Sequence, residues 1–332
     1  MKKVLITGAS GLIGNHVTRI CLERGDDVRV MVMPGEDRSP FIGMDVEFVE
    51  GNLMDPPSLA RAVKGIEQLY HMAALFAVWT KDPDLHYKIN VSGTEAMMNA
   101  AMAEGIEKVV YTSSVAAIGI PDKGQLATEE TPFNCWPWAS EYILSKYISH
   151  LLVKGMISKG LPATMVLPGL PFGPGDRNPT PTGSMIVRVL QGKMTTGLGG
   201  GVCPVYVRDV AMGHVLAMEK GQIGESYILA NKNANMTNQE FLQMVGSIAG
   251  VPKVATKEVS ASTMLRVAKI AEFFSKITGK APLTTYKNTL FITQHLYADA
   301  SKAVNELGMP QTPIEEAIKD SVEWFRSNGY VE

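Results

Sequence analysis

A doubly wound α/β fold on a parallel sheet is predicted by three features. Short β-branched runs alternate with longer helical patterns through the first half, a glycine triplet follows the first run, and glycines close several helical stretches. The runs at 3–7, 28–33, 46–50, 67–72, 108–113 and 162–167 read as strands. Helices read near 11–24, 56–64, 84–104 and 139–160, punctuated by Gly25, Gly65, Gly105 and Gly160 as helix C-termini tend to be.

After Pro168 the texture becomes Pro/Gly-rich, from Pro168-Gly169-Leu170-Pro171-Phe172-Gly173-Pro174-Gly175 to Pro179 and Pro181, which reads as a long ordered loop. A strand-like piece at 225–229 is placed to rejoin the sheet. The stretches 237–250, 261–277 and 313–328 read as helices of a smaller, mostly helical lobe. The expected division is a dinucleotide-binding Rossmann domain over 1–168, rejoined by 205–230, and a substrate-binding lobe from 169–204 and 231–332.

The chain has 332 residues, 45% apolar and 19% charged, enough to bury a sizeable core and unlike a disordered composition. Thirty-one basic residues stand against 33 acidic ones with no basic block, which argues against nucleic acid as a partner. Cys21, Cys135 and Cys203 are odd in number and far apart, so neither a disulfide framework nor a zinc site is expected, and the six histidines show no ligand spacing. Met1-Lys2-Lys3 is followed by only a short apolar run before Thr7, and no uncharged stretch approaches membrane-spanning length. A soluble, cytoplasmic protein is the expectation.

The opening Val4-Leu5-Ile6-Thr7-Gly8-Ala9-Ser10-Gly11-Leu12-Ile13-Gly14 sets three glycines between a strand and a helix. Gly8 suits a tight turn, Gly11 close approach of backbone to a pyrophosphate, and Gly14 close packing of helix on strand, with the helix N-terminus facing the anion. The adenine ribose is expected at the end of the second strand, where an acidic residue favours NAD and a basic one NADP. That strand ends in Met33 without a carboxylate. Arg38, five residues on, is within reach of a 2′-phosphate and favours NADP over NAD, the alternative being a solvated surface arginine. Asn52 and Leu53 suit contact with the adenine, and Asp55 before Pro56 is either part of that contact or a helix N-cap.

Tyr111-Thr112-Ser113-Ser114 stands near the end of a strand, and Tyr142-Ile143-Leu144-Ser145-Lys146 opens a helix about thirty residues later. Tyr at i and Lys at i+4 share a helix face. A phenol near pKa 10 is a poor base at neutral pH, and the neighbouring ammonium, with a positively charged nicotinamide, is expected to lower it. Tyr142 then handles the proton at a substrate oxygen that Ser114 also binds, while Lys146 holds the nicotinamide ribose. The competing reading of the pair is an ordinary amphipathic helix.

Together, Thr7-Gly8-x-x-Gly11-x-x-Gly14, His71-Met72-Ala73-Ala74, Asn90-Val91-x-Gly93-Thr94, Thr112-Ser113-Ser114, Tyr142-x-x-x-Lys146 and Pro168-Gly169 resemble the extended short-chain dehydrogenase/reductase family over nearly the whole chain. The resemblance implies that Asn90 completes a Ser-Tyr-Lys-Asn tetrad by positioning a water, unless it merely packs a helix. It also implies that Ser114 and not Ser113 is the catalytic serine. Ser10, Leu12, Ile13, Met72, Ala73, Ala74 and Thr112 would then pass along the cofactor, and Pro168 and Gly169 would cover the nicotinamide.

Within that family the chain is most similar to the dihydroflavonol 4-reductase-like group, with hopanoid-associated sugar epimerases and 3β-hydroxysteroid dehydrogenases nearby. The shared stretches are Gly173-Pro174-Gly175-Asp176, Pro179-Thr180-Pro181-Thr182-Gly183, Val205-Tyr206-Val207-Arg208-Asp209-Val210-Ala211 and Asp320-x-x-x-Trp324-Phe325-x-x-x-Gly329-Tyr330. It departs from the usual pattern at Met33, where many relatives carry Arg, and at Tyr206 and Arg208.

Sugar-nucleotide epimerases of the family carry a diphosphate-gripping Arg just before the segment equivalent to 205–207. Here Gly199-Gly200-Gly201-Val202-Cys203-Pro204 offers no cation, and Lys193 is the nearest upstream. Phe76, Trp79, Phe133, Trp136, Trp138 and Phe172 suit a site for an apolar alcohol or ketone of sterol, flavonoid or lipid type, or else pack among themselves. The expected function is NAD(P)-dependent alcohol/ketone oxidoreduction, with sugar-nucleotide epimerisation as the alternative. A further expectation is a homodimer through the helices near 84–104 and 139–160, implied by the resemblance; Met264–Phe274 reads first as a helix buried on two sides, with a peripheral membrane contact as the alternative.

Overall fold

Val4, Leu5 and Ile6 are fully buried, so the first strand can only lie inside a sheet covered on both faces. The structure, a computed structural model describing residues 1–331 apart from Leu198 and Leu283, places it there. Seven parallel strands run in the order Ser226–Leu229, β6 (Ala163–Pro168), β5 (Lys108–Thr112), β4 (Gln68–His71), β1 (Lys3–Thr7), β2 (Asp27–Val32) and β3 (Glu47–Glu50). Leu5 pairs with Arg29 on one side and Leu69 on the other. The order reverses direction between β1 and β4, the switch point outside whose carboxyl ends such sheets bind their ligands. Thr7, His71, Thr112 and Pro168 end their strands at that edge.

Helix α1 (Leu12–Glu23) and the helix Val207–Lys220 cover one face over Val17, Cys21, Val210 and Val215. Helix α2 (Pro56–Val63) and the helices Thr94–Glu104 and Glu141–Ile157 cover the other over Leu59, Met97, Met98 and Val153. The helix expected at 84–104 is broken. A single turn at Leu85–Tyr87 passes into a wider π-helical turn at Lys88–Gly93, and the α-helix starts only at Thr94. The stretch expected at 139–160 forms over Glu141–Ile157, capped by Ser140 Oγ, which accepts from the Ile143 N–H.

The segment read as a long loop is structured. Leu170–Phe172 pairs in parallel with Pro204–Tyr206, and Pro181–Leu190 is a helix with proline in its first turn and Thr180 as its cap. The buried Asp176 carboxylate fixes that cap by accepting from Thr180 N (3.0 Å) and Oγ1 (2.8 Å). The helix Val207–Lys220 is the crossover that returns the chain to the sheet, where Ser226–Leu229 pairs with β6. Pro181–Leu190, Asn238–Ala249 and Ile314–Ser327 enclose a second core around Phe172, Phe241 and Phe325. Tyr206 and Arg208 both reach Asp320 of the last helix, the hydroxyl by a short hydrogen bond and the guanidinium at 3.8 Å. Among the described residues, no helix is long and apolar enough to cross a membrane.

The glycine loop is the tightest point in the sheet edge. A Cβ on Gly14 would lie 2.1 Å from the Gly8 carbonyl oxygen and 2.8 Å from Ala9 Cα, backbone that cannot retreat without parting α1 from β1. Gly14→Ala is therefore expected to lose about 3 kcal/mol of stability by overpacking, read as a lowered midpoint in thermal unfolding. Gly43→Ala, which meets open space at a positive φ, supplies the comparison for an effect of backbone conformation alone.

Candidate active site

Thr7 ends β1 with a hydroxyl that accepts hydrogen bonds from the Met72 and Ala73 N–H groups at 3.2 and 3.1 Å. Its own hydrogen is thus free to go to His71 Nδ1, at 2.9 Å, which leaves His71 Nε2 as the donor to Thr94 Oγ1 at 3.3 Å. His71 is buried and neutral, its pKa pushed down to about 3 by burial and by the charge of Lys146. This network fixes Met72 and Ala73 beside Gly8, whose φ of +71° and 2.8 Å approach to Ala73 N, measured from the Cβ it lacks, admit no side chain.

Immediately after that turn, α1 begins at Gly11. No side chain caps it and no acidic residue sits in its first turn, so the Leu12 and Ile13 N–H groups are free to receive an anion, and a Cβ on Gly11 would meet only the Gly8 carbonyl oxygen. The cradle suits a dinucleotide pyrophosphate. At its adenosine end, Asn52 Oδ1 accepts from Met54 N (2.9 Å) in a local turn and Leu53 is buried against Gly93. Asp55 occupies the N-cap position of α2 without making a cap hydrogen bond.

The end of β2 differs from the sequence reading in one respect. Arg38 points along the sheet edge, its guanidinium 4.7 Å over the Phe48 ring and 3.4 Å from Glu50. A carboxylate that sequence reading overlooked occupies the corner instead. Glu36 accepts from Met33 N at 2.6 Å and, through its other oxygen, makes a short hydrogen bond with Ser10 Oγ. It thereby bridges the end of β2 and the glycine loop.

On the other side of the switch point, the buried Lys146 donates to the Thr112 carbonyl oxygen at 2.8 Å and lies 5.5 Å from the centre of the Tyr111 ring. The Thr112 hydroxyl is turned away to His214 Nε2 (2.9 Å), whose Nδ1 donates to the Val210 carbonyl (2.8 Å). Ser113 is buried with its hydroxyl 3.0 Å from His150 Nδ1. Ser114, its Oγ accepting from Ala116 N at 3.1 Å, stands beside the Tyr142 phenol instead. Helix Glu141–Ile157 is held in this register by Tyr111, which donates to Ser149 Oγ (2.7 Å), and by Asn90, which donates to Ser145 Oγ.

Asn90 lies in the π-helical turn and is fully engaged: Oδ1 accepts from Leu75 N (2.7 Å), while Nδ2 donates to the Leu75 carbonyl (3.1 Å) and to Ser145 Oγ (2.9 Å). It clamps the segment after β4 onto the helix of Tyr142. That segment brings the Phe76 ring to 4.8 Å from the Tyr142 ring. Phe291, Phe133 and Leu144 join Tyr142 in one apolar cluster over Ala116, Ala139 and Ile143. His86 places its ring edge toward the same phenol. Phe133 also stacks on Tyr147 and meets the exposed Trp136 edge-on.

Phe172 is no part of this wall. It is fully buried against Phe241 in the second core, because the strand Leu170–Phe172 turns its ring away from the cleft. Pro168 ends β6 opposite Leu229, and the Gly169 N–H donates to the Leu229 carbonyl (3.0 Å) with no room for a Cβ against Cys203. Gly200 and Gly201 are equally confined: a Cβ on either would lie 2.4 Å from the Ile292 carbonyl oxygen or the Tyr297 ring.

The electrostatics also depart from the expectation of a lowered phenol. Burial pushes Tyr142 up to about 12, with Ser114 acting the other way, and burial pushes Lys146 down to about 8. The ammonium spends its charge on the Thr112 carbonyl.

Residues 4–230 match the family described as NAD dependent epimerase/dehydratase. The chain is 35% identical to a putative dihydroflavonol 4-reductase of Synechocystis sp., over 98% of its own length and 95% of that protein. It is 30% identical to sterol demethylase protein B of Methylococcus capsulatus, over 98% and 99%. The crystal structure of gox2253 superposes over the whole of both chains with a TM-score of 0.89 at 38% identity.

The buried lysine gives a measurable pH dependence. Its native pKa of about 8 lies below the ordinary 10.5, so between pH 8 and about 10 the unfolded chain holds a proton that the folded one has shed. Stability gains with pH across that window by linkage, by about 2 kcal/mol. Urea unfolding of wild type and Lys146→Met over that range should show the gain in the first and its absence in the second. Parallel curves would place the lysine in contact with solvent.

Proposed function

The chain belongs to the NAD dependent epimerase/dehydratase family, and from that premise we propose that it interconverts an alcohol and a ketone on an apolar small molecule, with Tyr142 handling the proton. The observation that carries this reading is the apolar enclosure of the phenol. The Phe76 ring lies 4.8 Å from the Tyr142 ring, Phe291, Phe133 and Leu144 pack with Tyr142 on one apolar cluster, and Ser114 is the hydrogen-bonding neighbour of the phenol. Such a wall suits a sterol-, flavonoid- or lipid-like carbonyl compound.

A dinucleotide bound there would supply or accept the hydride. Gly8, Gly11 and the first turn of α1 would hold its pyrophosphate, and Lys146 would hold the nicotinamide ribose. Ser114 orients the substrate oxygen by hydrogen bonding, and Tyr142 gives it a proton in reduction or takes one in oxidation. A phenol held at about 12 keeps its proton at neutral pH and is ready as the acid of carbonyl reduction. Asn90 keeps Phe76 and Tyr142 in register by clamping Leu75 to Ser145.

Glu36 favours NAD over NADP. A 2′-phosphate at the end of β2 would meet its carboxylate, whereas a ribose hydroxyl can donate to it. Sugar-nucleotide epimerisation is the less favoured alternative, because Gly200 and Gly201 are packed against backbone and ring where a diphosphate would need a cation. The helices Thr94–Glu104 and Glu141–Ile157 leave Met102, Ile148 and Leu151 38–48% exposed, which supports a homodimer through them.

Denaturing the purified protein should release less than stoichiometric NAD, and added NADH should bind reversibly and more tightly than NADPH. Stoichiometric retained NAD would favour the epimerase. Glu36→Ser should bring NADPH affinity up by at least about tenfold. Tyr142→Phe should lower ketone reduction by about a thousandfold while NADH binding stays within about threefold. Unaltered turnover would remove Tyr142 from the reaction. The wild type should elute as a dimer at micromolar concentration and Leu151→Lys as a monomer; a monomeric wild type overturns the dimer.

A further inference from the structure

The helix Ala261–Thr278 is built inside out. Its inward side carries Ala268, fully buried, and Ser275, nearly so, flanked by the half-buried Met264 and Leu265. Its outward side carries Val267, Ile270, Phe273, Phe274 and Ile277, each between 50% and 66% exposed. At 100° per residue these five fall within one arc of about 120°, opposite Ala268 and Ser275. The inward side is settled against the helix Tyr286–Ile292. Glu272 Oε1 accepts from Tyr286 N at 2.8 Å, and Ser275 Oγ donates to the Lys280 carbonyl at 2.6 Å. The orientation is therefore fixed by contacts, and it leaves Val267, Ile270, Phe273, Phe274 and Ile277 outside.

This face carries cationic residues. Arg266 is exposed within the arc, between Phe273 and Ile277; Lys269 is exposed at its edge, with its ammonium 4.8 Å over the Tyr286 ring; and Lys280 is exposed just beyond the C-terminal end. The one acidic residue of the helix, Glu272, is turned inward and bound. Five such side chains offer roughly 500 Å² of apolar surface, short of the roughly 800 Å² per partner that a stable protein interface takes. A narrow apolar arc with arginine within it and lysine at its edge has the form of a helix lying in the headgroup region of a bilayer.

The geometry points to a peripheral membrane contact in which this face enters an anionic lipid surface, with Arg266, Lys269 and Lys280 at the phosphates. The contact is also close to the chemistry. The helix beneath it carries Phe291, which packs in the same apolar cluster as Tyr142, so the docked face lies one helix layer from the phenol. The inference rests on the helix surface and stands whatever carbonyl compound the site takes; an apolar substrate gives the contact a use.

The test is flotation of the full-length, NADH-loaded protein with vesicles of equal parts phosphatidylglycerol and phosphatidylcholine, and with phosphatidylcholine alone. The wild type should float with the anionic vesicles and by at least about tenfold less with the neutral ones. The triple variant Ile270→Gln, Phe273→Ser, Phe274→Gln and, independently, the double variant Arg266→Glu, Lys269→Glu should each lose that flotation by about tenfold. NADH affinity should stay unchanged in both variants; the thermal midpoint should stay unchanged in the triple variant and fall slightly in the double variant, which loses the contact of Lys269 with the Tyr286 ring. A wild type that floats with neither vesicle overturns the contact. So does an oligomer that the triple variant dissociates without any vesicle binding, because a second copy of the chain then covers the face. Turnover of a water-soluble ketone, measured without lipid, is read separately, so loss of flotation with turnover intact leaves the proposed reaction standing.

Discussion

The hydrogen bond from the Lys146 ammonium to the Thr112 carbonyl oxygen is the constraint around which the site is arranged. A buried ammonium is costly unless its donors are met. Here one donor is spent on the last peptide of β5, where the strand ends and its backbone is no longer claimed by the sheet. That bond sets the height of helix Glu141–Ile157 along the sheet, and with it the position of Tyr142 one turn earlier. The serines inside the helix continue the same register, Ser145 to Asn90 and Ser149 to Tyr111. The price is a lysine held near neutrality.

On the other side of the switch point the same problem is solved without a charge. Strands β1 and β4 end together because one hydroxyl, Thr7, takes two backbone N–H groups and passes its own hydrogen to a neutral His71. Gly8 can then turn within van der Waals contact of Ala73, and α1 starts with its first N–H groups unclaimed. The two halves of the cleft are thus differently prepared. One presents oriented backbone donors suited to phosphate; the other presents a protonated phenol and an ammonium in an apolar surround.

What could be read from the sequence follows from the range of the interactions. The glycine triplet and the Tyr142–Lys146 pair are legible because their geometry is local, a turn in one case and one helical turn in the other. Ser113 and Ser114 could not be separated on the residues alone, since what divides them is His150, 37 residues from Ser113, which takes the inner hydroxyl. Glu36 is not legible because only the turn closed by Glu36 N–H on the Met33 carbonyl draws its carboxylate back to Met33 N. The helix Pro181–Leu190 was hidden by its own punctuation: the prolines that suggested a loop include the one that begins the helix, and its cap depends on the buried Asp176. The two readings of Phe172, cleft wall or core, could not be separated because sequence places it after β6 without telling which side of a three-residue strand faces the second core.

Hydrophobic periodicity has a related blindness, and the helix Ala261–Thr278 exposes it. A moment gives the direction in which large apolar side chains point, and the usual inference that they point inward assumes that the interior has room for them. Here the neighbouring helix Tyr286–Ile292 approaches closely enough that the most buried positions are Ala268 and Ser275, and Glu272 is held there by a backbone N–H rather than by water. Small residues on the inner side and phenylalanines on the outer are both consequences of that close approach. A sequence reader sees only an amphipathic helix; the packing decides which of its two faces is the solvent-facing one, and in this chain it assigns the apolar one.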